Sequence, residues 1–198
     1  MTTCKRCIMD STVPAFKITE EGCSFCSQFF KSPNDKFSNT RLEQIFEEIK
    51  RSSKGEYDCI IGLSGGVDSA WVLKLAVEYG LRPLAVHMDN TWNSELASNN
   101  IRSLVDKFGV DLETYVIDWK EYREMLDAFL AADVVDIEIL YDNALYGVNY
   151  KIAKKFKIKY ILGGMNNATE GIPMPSGWNW NKFEKKNKKE VVKTNNPD

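Results

Sequence analysis

Between residues 57 and 166, short apolar runs rich in β-forming residues alternate four times with helix-like stretches, and few folds accept that alternation. "YDCIIGL" (57–63), "PLAVHMD" (83–89), "LETYVID" (112–118) and "KYILGGMN" (159–166) read as strands, the last with its exit loop. Between the first two, "SAWVLKLAVEY" (69–79) is apolar on nearly every side and meets a stop at Gly80. Ala97, Ile101, Leu104, Val105 and Phe108 recur at helical spacing and meet Gly109. Tyr122, Met125, Leu126, Phe129 and Leu130 mark another helix, and Leu145, Val148, Ile152 and Phe156 one more. The pattern predicts an α/β fold: a parallel sheet with helices on both faces. Ligands of such sheets bind outside the carboxyl ends of the strands, so loops 64–69, 87–93 and 163–170 should gather there. Ahead of the sheet, Leu42, Ile45, Phe46 and Ile49 mark a helix, and Cys59 inside the first strand reads as a core residue.

The chain has 198 residues, of which 43% are hydrophobic and 27% charged, the profile of a soluble globular protein. No apolar run reaches the roughly 18 residues of a membrane span, and the N-terminal "MTTCKRCIMD" has no apolar core behind its basic residues. A cytoplasmic protein without a membrane partner is expected. A formal net charge of −2 argues against a nucleic-acid partner. The basic residues cluster late, in "KFEKKNKKEVVK" (182–193), which reads as a solvated or frayed tail rather than a phosphate-contacting one. "DVVDIEILYDNALYG" (133–147) carries Asp133, Asp136, Glu138 and Asp142, and a solvated approach to a helix accounts for it as well as a functional loop does.

"SGGVDS" (64–69) sits where the first strand meets the next helix. Gly65 and Gly66 let the backbone turn sharply and approach a ligand closely. The first N–H groups of the helix lack partners and carry partial positive charge, which makes an anion site of the turn. Ser64 and Ser69 add hydroxyl donors, Val67 lies in the turn, and the helix begins near Asp68. Asp68 repels phosphate by itself. It fits if it caps the loop's own amides or holds a divalent cation such as Mg²⁺ against phosphates. A Walker A loop would carry a lysine before its last hydroxyl, and this loop has none.

Cys4-x-x-Cys7 and Cys23-x-x-Cys26, fifteen residues apart, have the spacing of a four-thiolate zinc site, which is closed and therefore structural. A metal also explains how a segment without a sustained amphipathic period folds at all. Docking a partner protein and contacting substrate beside the nucleotide are both open as its task. Residues 1–37 thus read as a zinc-binding module, 38–181 as a nucleotide-binding domain and 182–198 as a lysine-rich tail. Downstream, His87 and Asp89 end the second strand; His87 reads as a packed residue, and Asp89 as a ribose or metal ligand or a loop cap. Gly163 and Gly164 permit close backbone approach, while Asn166, Thr169 and Glu170 bring donors and acceptors to the same edge.

"SGGVDS" resembles the signature of the PP-loop ATP pyrophosphatases, with their adenine nucleotide alpha hydrolase-like fold. The resemblance implies that Ser64 to Ser69 grip the β- and γ-phosphates of ATP as one leaving group, that the α–β bond breaks, and that the 87–89 strand end cradles adenine through its backbone. "CKRCIMD", "GCSFC", "LSGGVDS", "DIE", "GGMNNATEG" and "SGWNW" together resemble the N-acetyl sugar amidotransferases of bacterial surface-polysaccharide synthesis, over about residues 3–181. That resemblance implies adenylation of a nucleotide sugar's N-acetyl oxygen and displacement of AMP by ammonia. It implies ATP, Mg²⁺ and Zn²⁺ as cofactors, and a separate glutaminase with a channel-forming subunit as ammonia-supplying partners. Asp68 and Glu170 are then the candidate catalytic carboxylates, Glu170 for steering ammonia or holding a cation. Members of that family run well beyond this point, so the chain reads as C-terminally truncated. A tRNA-modifying PP-loop thiolase and an inactive zinc- and ATP-binding module are the alternatives.

Overall fold

The computed structural model describes residues 1–31, 39–134, 136–165, 170–172, 174–175 and 184–195. The chain divides into two compact units, Met1–Leu42 with Met165–Asn181, and Glu43–Gly164 with Lys182–Asp198.

In the first unit, a two-residue hairpin, β1 (Ile18–Thr19) and β2 (Gly22–Cys23), pairs antiparallel and runs into α1 (Ser24–Lys31). Cys4, Val13, Cys23, Phe25 and Cys26 form its small buried cluster. The sequence pattern gives no signal for these elements, because the strands are too short to alternate and three of the five buried residues are cysteines.

The second unit holds the sheet. Helix α2 (Asn39–Ser52) leads into β3 (Cys59–Gly62), α3 (Val67–Glu78), β4 (Pro83–Asp89), α4 (Glu95–Phe108), β5 (Asp111–Val116), α5 (Trp119–Ala131), α6 (Ile139–Phe156), β6 (Tyr160–Leu162) and α7 (Lys185–Asn195). The four strands are all parallel, in the order β5-β4-β3-β6. Ile60, Leu84, Val86 and Met88 pack with Val148, Ile152 and Ala153 of α6 in one buried cluster. By strand alternation Cys59, Ile61 and Ala85 point to the opposite face, where Leu73 and Ala76 of α3 are fully buried. The expected parallel sheet with helices on both faces is therefore present. Gly80 ends α3 at φ +76°, with Leu81 N–H donating to the Ala76 carbonyl at 2.9 Å, and Gly109 ends α4 at φ +60°.

The lysine-rich segment departs from the expectation of a solvated tail. Residues 185–195 form α7, whose Val191 and Val192 pack on a cluster of Tyr122, Phe129, Ile139 and Leu140. Lysine and glutamate favour helix, and two valines are enough to give that helix an anchored face.

At the amino edge of the sheet, the buried Asp58 carboxylate accepts from Arg82 three times: backbone N–H at 2.8 Å, Nη2 at 2.7 Å and Nε at 3.3 Å. Burial pushes that carboxyl up, but the Arg82 hydrogen bonds outweigh it and hold the group below the usual carboxylate range.

Candidate active site

Sheet order fixes where a ligand can sit. From β3 the chain winds outward through β4 to β5, then returns to place β6 on the other side of β3. The order reverses between β3 and β6, the place where open α/β sheets bind ligands outside the carboxyl ends of their strands. The loop 64–69 leaves β3, and Gly163-Gly164 leaves β6.

The loop is held by its own hydroxyls. Gly66 N–H donates to Ser64 Oγ at 3.3 Å, Ser64 N–H donates to Ser69 Oγ at 3.3 Å, and Ser69 Oγ–H donates to the Gly66 carbonyl at 3.1 Å. Gly66 is the N-cap of α3 and offers no side chain to its first turn. The amides of that turn are thus left for an incoming anion. Ser64, Gly66, Val67 and Asp68 are exposed, and Ser69 is buried beneath them. Among the predicted residues, Asp68 does not cap the first turn of α3 with its side chain.

Two glycines are required by close backbone approach. Gly65 has φ +79°, and a Cβ there would lie 2.5 Å from the Ala97 carbonyl oxygen. A Cβ on Gly164 would lie 2.9 Å from the carbonyl carbon of Asp68. The β6 exit loop therefore seats directly on the loop that follows β3, as the sequence reading placed them. Gly163 has nothing within 4 Å of such a Cβ. Asn100 of α4, which the sequence reading missed, donates Nδ2–H to the Gly65 carbonyl at 3.0 Å. An asparagine on a polar helix face gives no signal of this contact.

His87 bridges two strand ends. Its Nδ1 lies 3.0 Å from the Leu63 carbonyl, and its Nε2 lies 3.2 Å from Asn93 Nδ2. A carbonyl accepts and an amide NH₂ donates, so these two contacts match a ring that carries a proton on Nδ1. Asp89 Oδ1 accepts the Thr91 N–H at 2.9 Å and Asn93 Nδ2–H at 3.3 Å. Both side chains hold the β4 exit loop, and with Thr91, Asn93, Ser98 and Arg102 they line a cleft of about 590 Å³.

Asn166 and Thr169 lie outside the described residues. Glu170 is exposed and belongs to the first unit, whereas Ser64–Ser69, His87, Asp89, Gly163 and Gly164 belong to the second.

The four cysteines come together. Their sulfurs all lie within 4.8 Å of one another: Cys4 to Cys26 at 3.9 Å, Cys7 to Cys23 at 3.7 Å and Cys23 to Cys26 at 3.8 Å. Zn–S bonds of about 2.3 Å at tetrahedral angles put sulfurs about 3.8 Å apart, so the donor set fits zinc. Backbone N–H groups of Cys7 and Arg6 lower the Cys4 thiol to about 7, whereas burial raises the Cys7 and Cys26 thiols, so a bound cation would have to draw off those protons. Gly22, at φ +132°, faces Cys4 Sγ at 3.3 Å and Cys26 Sγ at 3.4 Å at its Cβ position, so a side chain there would strain the backbone and crowd the sulfurs.

A model of the NAD synthase family matches residues 39–172. The chain belongs to the NAD synthase family. The match contains the loop 64–69 and the strand ends around it, and the four cysteines precede it. Similar solved structures include NMN synthetase from Francisella tularensis, with 26% identity over 66% of this chain and 56% of that one and a TM-score of 0.48. NH3-dependent NAD synthetase from Campylobacter jejuni subsp. jejuni NCTC 11168, solved with a nitrate ion, is 17% identical over 65% of this chain and 56% of its own, with a TM-score of 0.51. Glutamine-dependent NAD+ synthetase from Acinetobacter baumannii, solved with ADP, is 19% identical over 79% of this chain and 31% of its own, with a TM-score of 0.54. The last two share the NAD synthetase fold. The chain spans 56%, 56% and 31% of the lengths of these three proteins. No curated protein sequence matches the chain. Family membership gives the coarse assignment, an NAD synthetase-like PP-loop domain.

Proposed function

We propose that this NAD synthase-family chain is the ATP-dependent amidating subunit for the N-acetyl group of a nucleotide sugar. The open first turn of α3, uncapped by any side chain and walled by glycines, is the observation that carries the reading. It offers amide donors to a diphosphate without a lysine to favour transfer of the terminal phosphoryl group.

In this account the acetamido oxygen attacks the α-phosphorus of ATP, the α–β bridging bond breaks, and pyrophosphate leaves. Ammonia then attacks the activated carbon, AMP departs with the oxygen, and loss of a proton leaves an acetamidino group. Ser64 to Ser69 bind the β- and γ-phosphates through backbone N–H groups, with the hydroxyls of Ser64 and Ser69 fixing the turn. The 87–89 strand end and Gly163-Gly164 flank the nucleotide, His87 and Asp89 by holding the loop that receives it. Asp68 is assigned to the cation that neutralises the leaving diphosphate. Bound Mg²⁺ supplies charge neutralisation of the leaving diphosphate. Cys4, Cys7, Cys23 and Cys26 hold Zn²⁺ as a structural ion. A glutaminase and a channel-forming subunit supply ammonia.

A tRNA thiolase finds less support, because Cys59, the one cysteine outside the cluster, is fully buried in β3. Burial, and then the Asp58 charge, pushes its thiol up to about 12, far from a working nucleophile. Family membership itself favours a second acceptor, the acid whose amidation forms NAD. Incubation with ATP, magnesium and ammonium separates the two: mass spectrometry should show UDP-N-acetylglucosamine exchanging oxygen for NH. Conversion of the acid form of NAD, with every N-acetyl sugar unchanged, would replace this reading with the second.

A further inference from the structure

A second cleft, of about 530 Å³, opens on the α5–α6 side of the β4 exit loop. Asn90, the residue after β4, lines it with Trp92, Tyr122, Tyr141, Glu138 and Asp142. Asn90 is 8% exposed. Its Oδ1 accepts the Trp92 N–H at 3.1 Å, and its Nδ2 has no acceptor among the described residues. An amide donor that faces the cleft with no protein acceptor among the described residues can take one from a ligand. The aromatic wall is continuous: Trp92 lies 6.0 Å from Trp119, and Trp119 lies 6.0 Å from Tyr122.

The chemistry of the lining narrows the ligand. Glu138 and Asp142 repel a phosphate or a carboxylate. Burial raises the Tyr141 phenol, and the charges of Asp142 and Glu138 raise it further, so it stays a neutral donor. An ammonium ion needs space comparable with one water, about 30 Å³, and leaves most of this cleft unfilled. A ring with an apolar face for the indole and phenol rings, a hydroxyl for the Glu138 carboxylate and an oxygen for the Asn90 amide matches this lining.

We infer that this cleft holds a neutral hydroxylated ring, the sugar of the N-acetylated acceptor. The inference rests on the sugar reading above and adds its place: a cleft walled by the β4 exit loop, α5 and the start of α6.

Saturation-transfer NMR with UDP-N-acetylglucosamine tests it. Saturation should pass to the pyranose ring protons more strongly than to the uracil protons. Asn90→Asp keeps the oxygen that holds Trp92 and removes the open donor, so it should weaken binding about tenfold, the effect of one lost hydrogen bond. Trp92→Ala, at a side chain 66% exposed, should remove the ring-proton signal without altering the melting temperature. Dominant transfer to uracil, no transfer, or ring-proton transfer equal in all variants would overturn the cleft assignment. If those results accompanied oxygen-for-NH exchange on the sugar, the amidation reading would survive without it. Ring-proton transfer that disappears in the variants, with no exchange under any condition, would keep the cleft and remove the amidation chemistry.

Discussion

At the scale of single residues, the site depends on two backbone contacts that exclude a methyl group. Gly65→Ala would place a Cβ 2.5 Å from the Ala97 carbonyl oxygen at φ +79°, whereas Gly163→Ala meets nothing within 4 Å. Gly65→Ala should therefore lower stability by about 1–3 kcal/mol and abolish nucleotide binding, while Gly163→Ala leaves the denaturation midpoint nearly unchanged. Equal midpoints for the two variants would contradict the packing described. Asp58 allows a pH test. Its carboxyl is lowered in the folded state, so its contribution to stability is present above the unfolded value of about 3.9 and is lost as pH falls through the lower folded value. Arg82→Ala should lower stability modestly at neutral pH, because the guanidinium is 58% exposed and the backbone N–H remains. Urea denaturation should show that difference shrinking as the carboxyl protonates below pH ~4. The sequence marks Gly65 plainly, since Gly-Gly after an apolar strand has few uses. It gives no sign of the Asp58–Arg82 pairing, which depends on the register of β3 against β4.

At the scale of elements, the helices and strands of the second unit are legible because each has enough length to show a period. The β1–β2 hairpin and α1 are not, because their order depends on four thiols converging. A strong chelator should melt the near-UV signal of the cysteine segment while the sheet keeps its far-UV signature, and added zinc should restore it; an unchanged spectrum would remove the metal from the account. The lysine-rich helix α7 reads as a tail in sequence because only two of its residues are apolar. Those two matter: Val191 and Val192 cover Tyr122, Phe129, Ile139 and Leu140. Val192→Asp should lower stability by about 1–3 kcal/mol by setting a charge against that cluster. A thermal melt matching that of the parent chain would show α7 to be undocked.

At the scale of the whole molecule, family membership accounts for the sheet, the loop after β3 and the reversal of strand order beside it. The cysteine cluster precedes the matched residues and draws on a different principle, metal-driven folding in place of a hydrophobic core. What sequence periodicity does not reveal is the convergence of Asn90, Trp92, Tyr122 and Tyr141, which come from three separate elements and meet only through the parallel topology. The proposed chemistry asks one thing of the molecule: that the loop after β3 bind two phosphates as a unit, so that ATP parts between its α- and β-phosphorus atoms. Phosphorus NMR of a turnover mixture containing ATP, magnesium, ammonium and UDP-N-acetylglucosamine reads this directly. The account predicts resonances of AMP and pyrophosphate growing together; ADP with inorganic phosphate would contradict it.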